Sequence, residues 1–363
     1  MGWRRVHSFI AWFALIVGGS GIALAVFLLV QVWDHSRLRS PANLGNERAA
    51  ALLSERDLPS DLVEFAVVGD INNGTETFEA IIARLRDEKE VAFLVLLGDC
   101  AADPNRQLHG YFIHEFAETG FALPTFIVAG NHDVAPGRFS YAEFEGLYGP
   151  ANFAFSYHEH LFIGLGGIHD REECRETVSF LEKTLRERRS QAKRVFVFMH
   201  CAPLASEDIP TDRMTYSREF QDLFEKYRVN YVLSGHHHRL ARTEVNGVAY
   251  LVTGGGGARL RSDRFEDIGL FHHLTLIKMR GNSIAEYIIP IAPAHSVFRV
   301  MERIERWGLT VLWPQHPVMG GMAAVVVVGA FIWGVVDRRR QSKPCAKRGP
   351  PTSDCSQTPV GSG

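Results

Sequence analysis

The sequence lacks several motifs that define common enzyme classes. Its five cysteines show no CxxC spacing, which argues against a zinc ribbon and a thioredoxin-type site. No GxSxG element and no P-loop lysine motif occurs, so we expect neither a serine nucleophile nor a P-loop. Cys100 and Cys201 each directly follow a polar residue that ends an apolar run. We interpret both as small core residues rather than as a disulfide or a reactive pair.

An excess of positive charge is also absent from most of the chain. The formal net charge is −2 at pH 7. Residues 337–363 carry six basic and two acidic side chains, so the rest of the chain has a formal charge of −6. An acidic body without a basic, aromatic stripe does not favour a nucleic-acid partner. The basic tail is rich in Pro, Ser, Lys and Gly and is predicted to be disordered.

Two segments contain no charged residue at all. Residues 8–33 and 318–336 are each long enough to cross a bilayer as a helix. A cleaved signal peptide is the alternative for the first, because Ala23-Leu24-Ala25 resembles a cleavage site, and a buried soluble helix is the alternative for the second. The stretch Asp337-Arg338-Arg339-Arg340 follows the second segment, which places both termini in the cytoplasm by the positive-inside rule. We therefore expect a two-pass membrane protein with an extracytoplasmic central domain.

These segments divide the chain into seven parts. They are predicted as a cytoplasmic N-terminus (1–7), a transmembrane anchor (8–33), a linker (34–60), the central domain (61–293), a juxtamembrane segment (294–317), a transmembrane helix (318–336) and a cytoplasmic tail (337–363).

The order of elements in the central domain indicates its fold class. Helical periodicity predicts helices over Thr75–Glu88 and Val178–Arg189, and the linker contains a helix-prone stretch, Asn46–Glu55. Short strands are predicted later in the chain, at Asn152–Tyr157, Leu161–Leu165, Val248–Thr253, His273–Met279 and Ile284–Ile289. Helices and strands therefore alternate first, and strands with few helices follow. This order indicates an α/β (α+β) fold in which two sheets pack face to face with helices outside.

Five apolar runs each end in a polar residue that can bind metal. They are Val63–Val68 before Gly69-Asp70, Val91–Leu97 before Gly98-Asp99, Pro124–Ala129 before Gly130-Asn131-His132-Asp133, Val195–Met199 before His200, and Tyr231–Leu233 before Ser234-Gly235-His236-His237-His238. Apolar runs of this kind, bounded by Gly, predict buried strands, and ligands collect at the carboxyl ends of such strands. The combination of carboxylate, amide and imidazole groups suits divalent first-row metals.

In this order, the polar elements resemble the motifs of the calcineurin-like metallophosphoesterase superfamily. The resemblance covers about residues 63–290. It implies a four-layer αββα sandwich of two mixed sheets flanked by helices. It also implies two divalent metal ions (Mn²⁺, Fe²⁺/Fe³⁺ or Zn²⁺) and cleavage of a phosphoester or pyrophosphate bond by a metal-bound hydroxide.

The resemblance also implies a role for each residue. Asp99 is expected to bridge the two metals. Asn131, His200 and His236 are expected to complete one site, and Asp70, His238 and Asn72 the other. His132 is expected to meet the scissile phosphate as a general acid or charge stabiliser. Asp133 is then expected to orient His132 through a hydrogen bond.

The chain departs from the family pattern at Asn72. The usual Asp-x-His element reads Asp70-Ile71-Asn72 here. An amide oxygen is a weaker donor to a transition metal than imidazole. The Tyr that purple acid phosphatases supply from a GDxxY motif is also missing, since the stretch reads Gly98-Asp99-Cys100-Ala101-Ala102. We therefore expect the first metal site to be weak or to take a harder ion such as Mn²⁺ or Mg²⁺.

The sequence thus predicts a membrane-anchored, metal-dependent phosphohydrolase. Its expected partners are a phosphorylated small molecule or a lipid-linked phosphate, together with the lipid bilayer. The alternative is a non-catalytic binding module on the same fold with a degraded first metal site. A nuclease of the same superfamily ranks last, because no basic stripe occurs in residues 61–293.

Overall fold

The computed structural model describes residues 39–292 except 57–58, 60, 73, 168–170, 205–215 and 261–268, together with scattered residues between 12 and 30 and between 329 and 336. The chain divides into two compact units, one formed by Met1–Leu29 with Val311–Gly363 and the other by Val30–Thr310. The predicted membrane segments lie largely outside the described residues, as do the tail and the juxtamembrane segment. Within the described part of the chain, no helix has the length and apolarity needed to cross a membrane.

The larger unit contains six α-helices and eleven strands among its described residues. The helices are α1 (Asn46–Ser54), α2 (Thr75–Leu85), α3 (Arg106–Glu118), α4 (Tyr141–Tyr148), α5 (Arg171–Arg188) and α6 (Ser217–Lys226). The strands are β1 (Leu62–Val68), β2 (Val91–Leu96), β3 (Thr125–Ile127), β4 (Phe153–Tyr157), β5 (His160–Leu165), β6 (Arg194–Met199), β7 (Tyr231–Ser234), β8 (Leu240–Val245), β9 (Val248–Thr253), β10 (His273–Arg280) and β11 (Ser283–Pro290).

The strands form two mixed sheets. The first sheet has the order β11-β10-β1-β2-β3, in which β1, β2 and β3 are parallel and β10 and β11 are antiparallel additions. The second has the order β4-β5-β6-β7-β9-β8, with parallel pairing from β5 through β9 and antiparallel pairing at both edges. Parallel strands place their carboxyl ends at one edge of a sheet, which is where the polar motifs follow.

Phenylalanines from both sheets form the layer between them. The ring of Phe65 on β1 lies 5.4 Å from Phe162 on β5 and 5.3 Å from Phe196 on β6, both edge-on. Phe93 on β2 stacks on Phe65 at 5.1 Å. Edge-to-face and offset pairs of this kind add about 0.5–1.5 kcal/mol each beyond the buried area. The two sheets therefore pack face to face through an aromatic core.

Helices cover the outer face of each sheet. The buried residues of α2, α3 and α4 join one apolar cluster with the outer face of the first sheet, and those of α5 and α6 join another with the second sheet. The result is the predicted arrangement of two mixed sheets flanked by helices. The predicted helix Val178–Arg189 is longer than expected, because α5 begins at Arg171.

Part of the predicted linker 34–60 belongs to the packed domain. Helix α1 buries Ala49 and Leu53 in the cluster between the sheets. The Asn46 side chain donates to the carbonyl oxygen of Ile127 and accepts from the Ile127 N–H, both at 2.9 Å. These hydrogen bonds stabilise the edge of the first sheet beside β3. The backbone of Asn43 and Gly45 adds hydrogen bonds to Thr125 on β3, and the polar composition of the segment did not predict these contacts.

Candidate metal centre

The predicted metal ligands converge at the carboxyl ends of the parallel strands. Asp70 follows β1, Asp99 follows β2, and His200 directly follows β6. Five site residues have left-handed backbones: Asp70 (φ 61°), Asn72 (φ 46°), Asp99 (φ 53°), His236 (φ 71°) and His238 (φ 48°). A non-glycine residue in this region costs on the order of 1–3 kcal/mol when strained, and such residues concentrate at functional sites. The left-handed backbone conformations therefore belong to the residues whose side chains gather at this site.

One cluster consists of Asp70, Asp99 and His238. All three side chains are buried, and their candidate ligand atoms lie within 4.8 Å of one another. The His238 Nε2 is 3.5 Å from Oδ1 of Asp70. The His238 Nδ1–H donates to the Arg259 carbonyl oxygen at 2.8 Å, which leaves Nε2 with its lone pair for a metal.

Asn72 lies at the edge of this first cluster. Its Nδ2 is 3.4 Å from Nε2 of His238. Its Oδ1 is buried and has no hydrogen-bond partner among the described residues. Rotation of the amide exchanges the two atoms and turns the oxygen towards the cluster. A buried acceptor without a donor costs free energy, and a cation satisfies it. The residues present therefore fit a metal ion of the oxygen-preferring class.

The second cluster consists of Asn131, His200 and His236. The Asn131 Oδ1 is 3.0 Å from Nε2 of His200 and 2.9 Å from Nδ1 of His236, and the two ring nitrogens are 3.2 Å apart. Donors about 2.0–2.1 Å from a tetrahedral ion lie roughly 3.3 Å from one another, so these spacings fit one ion. The His200 Nδ1–H donates to the Leu97 carbonyl oxygen at 2.8 Å and directs Nε2 into the cluster.

Asp99 connects the two clusters. Its carboxylate belongs to the first cluster, and its Oδ2 is also 3.4 Å from Nε2 of His200 in the second. Burial alone would raise the pKa of Asp99, but the charge and hydrogen bond of His200 outweigh it and keep that pKa well below the ordinary value. Burial opposes a charge on His200, yet Asp99 raises the His200 pKa to about 10. Without metal, a proton on His200 therefore offsets the buried carboxylate, and a divalent ion would replace it.

Glycines allow the loops to approach the Asp70 carboxylate closely. A Cβ at Gly235 or at Gly254 would lie 2.5 Å from Oδ2 of Asp70. The His236 N–H donates to the same carboxylate, at 2.8 Å from Oδ2. Backbone from two different loops therefore encloses Asp70, and no side chain fits between them and the carboxylate.

His132 lies beside the bridging carboxylate. Its backbone N–H donates to Oδ1 of Asp99 at 2.8 Å. Its Nδ1–H donates to the Ala102 carbonyl oxygen at 2.8 Å, which leaves Nε2 as the ring nitrogen that can meet a substrate. The side chain is partly exposed, whereas Asp70, Asp99 and His200 are buried.

Asp133 has partners other than the expected one. We predicted a hydrogen bond to His132, but the carboxylate accepts from the backbone N–H groups of Asp99 (2.7 Å), Gly130 (2.9 Å) and Ala101 (3.0 Å). Burial and the charge of Asp99 raise the pKa of Asp133 to about 7, against the lowering effect of these N–H groups. Asp133 therefore joins the loop after β2 to the loop after β3, and the Ala102 carbonyl orients His132 instead.

The two cysteines that follow predicted ligands have different surroundings in the structure. Cys100 is fully buried in the apolar cluster of the first sheet, as expected of a core residue. Cys201 is partly exposed, and its Sγ and a ring nitrogen of each of His200 and His236 lie within 4.8 Å of one another. Cys201 also packs against the apolar cluster of the second sheet, in line with the interpretation as a core residue, but the sequence analysis did not predict its proximity to these two rings. The available signal was its position immediately after a histidine ligand.

The comparisons with known proteins agree with this site. A sequence model described as calcineurin-like phosphoesterase matches residues 63–240, which contain every predicted ligand. No curated protein matched the chain.

Three solved structures are similar to this chain at low sequence identity. The anchor in the inner membrane complex of Plasmodium, GAP50, is 14% identical with a TM-score of 0.50, covering 68% of this chain and 95% of that one. A purple acid phosphatase from yellow lupin is 17% identical with a TM-score of 0.47, covering 63% and 52%. A dimetal phosphatase from Danio rerio is 14% identical with a TM-score of 0.44, covering 63% and 99%.

The family match falls on the strand-end motifs whose side chains form the two joined clusters. It adds independent sequence evidence to the fold and to the geometry of the site. Residues 63–240 form a calcineurin-like phosphoesterase domain.

Proposed function

We propose that the chain is a metal-dependent phosphohydrolase that cleaves a phosphoester or pyrophosphate bond. The observation that carries the proposal is the pair of clusters joined through Asp99, with His132 beside them. Two bound divalent ions would supply Lewis acidity towards the phosphate and activate a water for attack. Among the family-assigned positions, only Asn72 departs from the expected residue type.

The chain's own residues then have distinct tasks. Asp99 would help to hold both ions, because its carboxylate belongs to the first cluster and also lies beside His200 of the second. His132 presents Nε2 towards the substrate, where it can donate a proton to the leaving oxygen or stabilise the charge that develops there. Asp133 keeps the loops of Asp99 and Asn131 in register through its three backbone hydrogen bonds.

The test compares phosphodiester hydrolysis by wild-type chain and by Asp99→Asn. With Mn²⁺ and bis-p-nitrophenyl phosphate, we expect turnover by the full-length wild type and a loss of several orders of magnitude in the variant. Asp103→Asn is the matched control, because Asp103 lies on the same loop but is exposed and paired with Arg138. Equal rates in wild type and Asp99→Asn would refute the proposed chemistry.

The alternative is a non-catalytic binding module, and Asn72 is the observation that favours it. If the amide oxygen cannot support the first site, the chain would bind one ion and turn over no phosphoester. Metal stoichiometry distinguishes the two functions: two Mn²⁺ per chain support the enzyme, and a single ion without turnover across several metals supports the module. Asn72→His, which restores the usual ligand, should raise activity only in the enzyme.

We also propose that the chain is anchored in a membrane at both ends. Large apolar side chains are exposed along the terminal segments: Trp12, Phe13, Ile16, Val26, Val30, Ile332, Trp333 and Val336. Within the terminal unit, a Cβ at Gly18 would lie 3.0 Å from Cβ of Phe331, so residues from the two ends are in close contact. Exposed apolar surface of this extent needs a partner, and a bilayer provides one.

The proposed topology places both termini in the cytoplasm and the metal centre outside. Cys345 and Cys355 lie in the basic tail and report its location. In intact cells, a membrane-impermeant maleimide should leave the tail unlabelled and should label Glu244→Cys, an exposed position on β8. Permeabilisation should then expose the tail. Labelling of the tail in intact cells would refute this orientation.

Anchoring at both ends would restrict the site to the region near the bilayer. A lipid-linked phosphate is therefore the substrate class we favour over a soluble phosphate monoester or diester. In detergent micelles, a panel of lipid phosphates and pyrophosphates should be hydrolysed faster than their soluble head groups. Equal rates for lipid and head group would favour a soluble substrate. The acidic body of the chain gives no support for a nucleic-acid substrate.

A further inference from the structure

The thiol of Cys201 lies beside the second cluster. Its Sγ and a ring nitrogen of each of His200 and His236 lie within 4.8 Å of one another. The residue is partly exposed and packs against the apolar cluster of the second sheet, whereas Cys100 and Cys174 are fully buried members of apolar clusters. Of the three cysteines that the structure describes, Cys201 alone is grouped with metal-binding side chains.

The end of β6 explains how two consecutive residues reach one site. In a regular strand, neighbouring side chains point to opposite faces. Strand β6 ends at Met199, and the chain bends at both His200 and Cys201. His200 enters the cluster through Nε2, with its Nδ1–H fixed on the Leu97 carbonyl. The bend allows the next side chain to approach the same cluster.

We propose that the Cys201 thiolate is a further ligand of the ion bound by Asn131, His200 and His236. The proposal deepens the proposed metal centre and rests on it. Thiolate is a soft donor that selects Zn²⁺ and similar ions, whereas carboxylate and amide oxygens suit Mn²⁺ and Mg²⁺. The first cluster offers Asp70, Asp99 and the Asn72 amide with one histidine. The second site, with two imidazoles and a thiolate, therefore prefers a softer ion than the first.

A role in the core or in a disulfide accounts less well for this residue. A core cysteine is fully buried by apolar neighbours, as Cys100 is, whereas Cys201 only borders an apolar cluster and stays partly exposed. No disulfide joins Cys100 and Cys201 in the described part of the chain. Coordination accounts for the partial exposure and for the two imidazole nitrogens near the sulfur.

Cobalt substitution tests the ligand directly, without reference to activity. The experiment uses the full-length chain with Cys345→Ser and Cys355→Ser, so that the tail thiols cannot bind metal. When this protein is titrated with Co²⁺, we expect visible d–d bands together with a near-ultraviolet thiolate-to-cobalt charge-transfer band. Cys201→Ser should lose the charge-transfer band and keep the d–d bands. Cys100→Ala, the matched control beside the other ligand loop, should keep both.

The Zn²⁺ form provides a second measurement. X-ray absorption should detect one sulfur at about 2.3 Å in addition to nitrogen and oxygen donors at about 2.0–2.1 Å, and Cys201→Ser should lack the sulfur. Cys201→Ser should also weaken Zn²⁺ binding by at least about 10-fold to 100-fold. This is the loss seen when a residue that only supports a metal ligand is removed, and losing a direct ligand should cost no less. Mn²⁺ binding at the first site should change little.

The outcomes separate this proposal from the proposed function. If Co²⁺ binds with d–d bands but no thiolate band, Cys201 is not a ligand and the metal centre stands. If Co²⁺ and Mn²⁺ do not bind, the metal centre itself is refuted. If the thiolate band survives in Cys201→Ser, the sulfur comes from another residue and the assignment is overturned.

Discussion

Replacing Asp133 tests what this buried carboxylate does. Two roles compete: orientation of His132, which we expected from the family resemblance, and connection of the metal-binding loops, which the hydrogen bonds indicate. The carboxylate accepts at Oδ2 from the N–H of Asp99 and of Gly130, and at Oδ1 from the N–H of Ala101. Asp133→Asn keeps the shape of the side chain but changes one acceptor into a donor.

The contacts give the size of the effect. In the better amide orientation, the oxygen takes the place of Oδ2 and keeps two hydrogen bonds, while the NH₂ faces the Ala101 N–H. Above about pH 7, where the Asp133 carboxyl group is charged, the loss of that bond costs about 1.5–3 kcal/mol. The two remaining bonds lose their charge assistance and about half of their strength. Because these bonds order the loops of Asp99 and Asn131, we expect metal affinity to fall by about 10-fold to 100-fold.

The assay separates the two roles by metal binding and by pH. Mn²⁺ affinity would be measured by calorimetry for wild type, Asp133→Asn and the loop control Asp103→Asn. Hydrolysis at saturating Mn²⁺ would be measured across pH. The loop role predicts weaker Mn²⁺ binding and a pH profile of unchanged shape. An unchanged Mn²⁺ affinity together with a shifted pH profile would refute the loop role. It would show instead that Asp133 acts by orienting His132.

Two further predictions concern the glycines and the buried histidines. Gly254→Ala should abolish metal binding at the first site, because the added Cβ would lie 2.5 Å from Oδ2 of Asp70. The control Gly146→Ala, on helix α4, should keep metal binding, because nothing lies within 4 Å of the added Cβ. The metal stoichiometry measured by calorimetry checks both variants. Stability should fall on acidification, because burial lowers the pKa of His109 and of His273 to about 4. Between about pH 6.5 and pH 4, each histidine takes up a proton in the unfolded chain but stays neutral in the fold. The free energy of unfolding is therefore highest above about pH 6.5 and falls by about 3 kcal/mol per histidine as the pH drops towards 4. Urea unfolding at pH 7 and pH 4 measures this, and a flat profile would contradict it.

Much of the fold could be predicted from local sequence patterns. The apolar runs ending at Val68, Leu97, Met199 and Leu233 are strands in the structure, and the helix predicted at Thr75–Glu88 ends three residues early. These patterns succeed because a buried parallel strand must be apolar on both faces and must end before a polar loop. The longer α5 and the role of Asn46 were missed, because both depend on contacts with distant segments.

The sequence by itself determined the chemical inventory of the site, and the tertiary structure decided how it is used. Residue types and their positions after strands pointed to every residue of the two clusters, but not to Cys201 beside the second one. Only the packed loops decided that Asp133 bonds to three backbone N–H groups, that the Asn72 oxygen is buried without a donor among the described residues, and that the Cys201 sulfur lies within 4.8 Å of a ring nitrogen of His200 and of His236. The physical reason is distance along the chain. Asp133 is separated from Asp99 by 34 positions, and the direction of a hydrogen bond or a thiol across such a gap is set by how the strand ends pack.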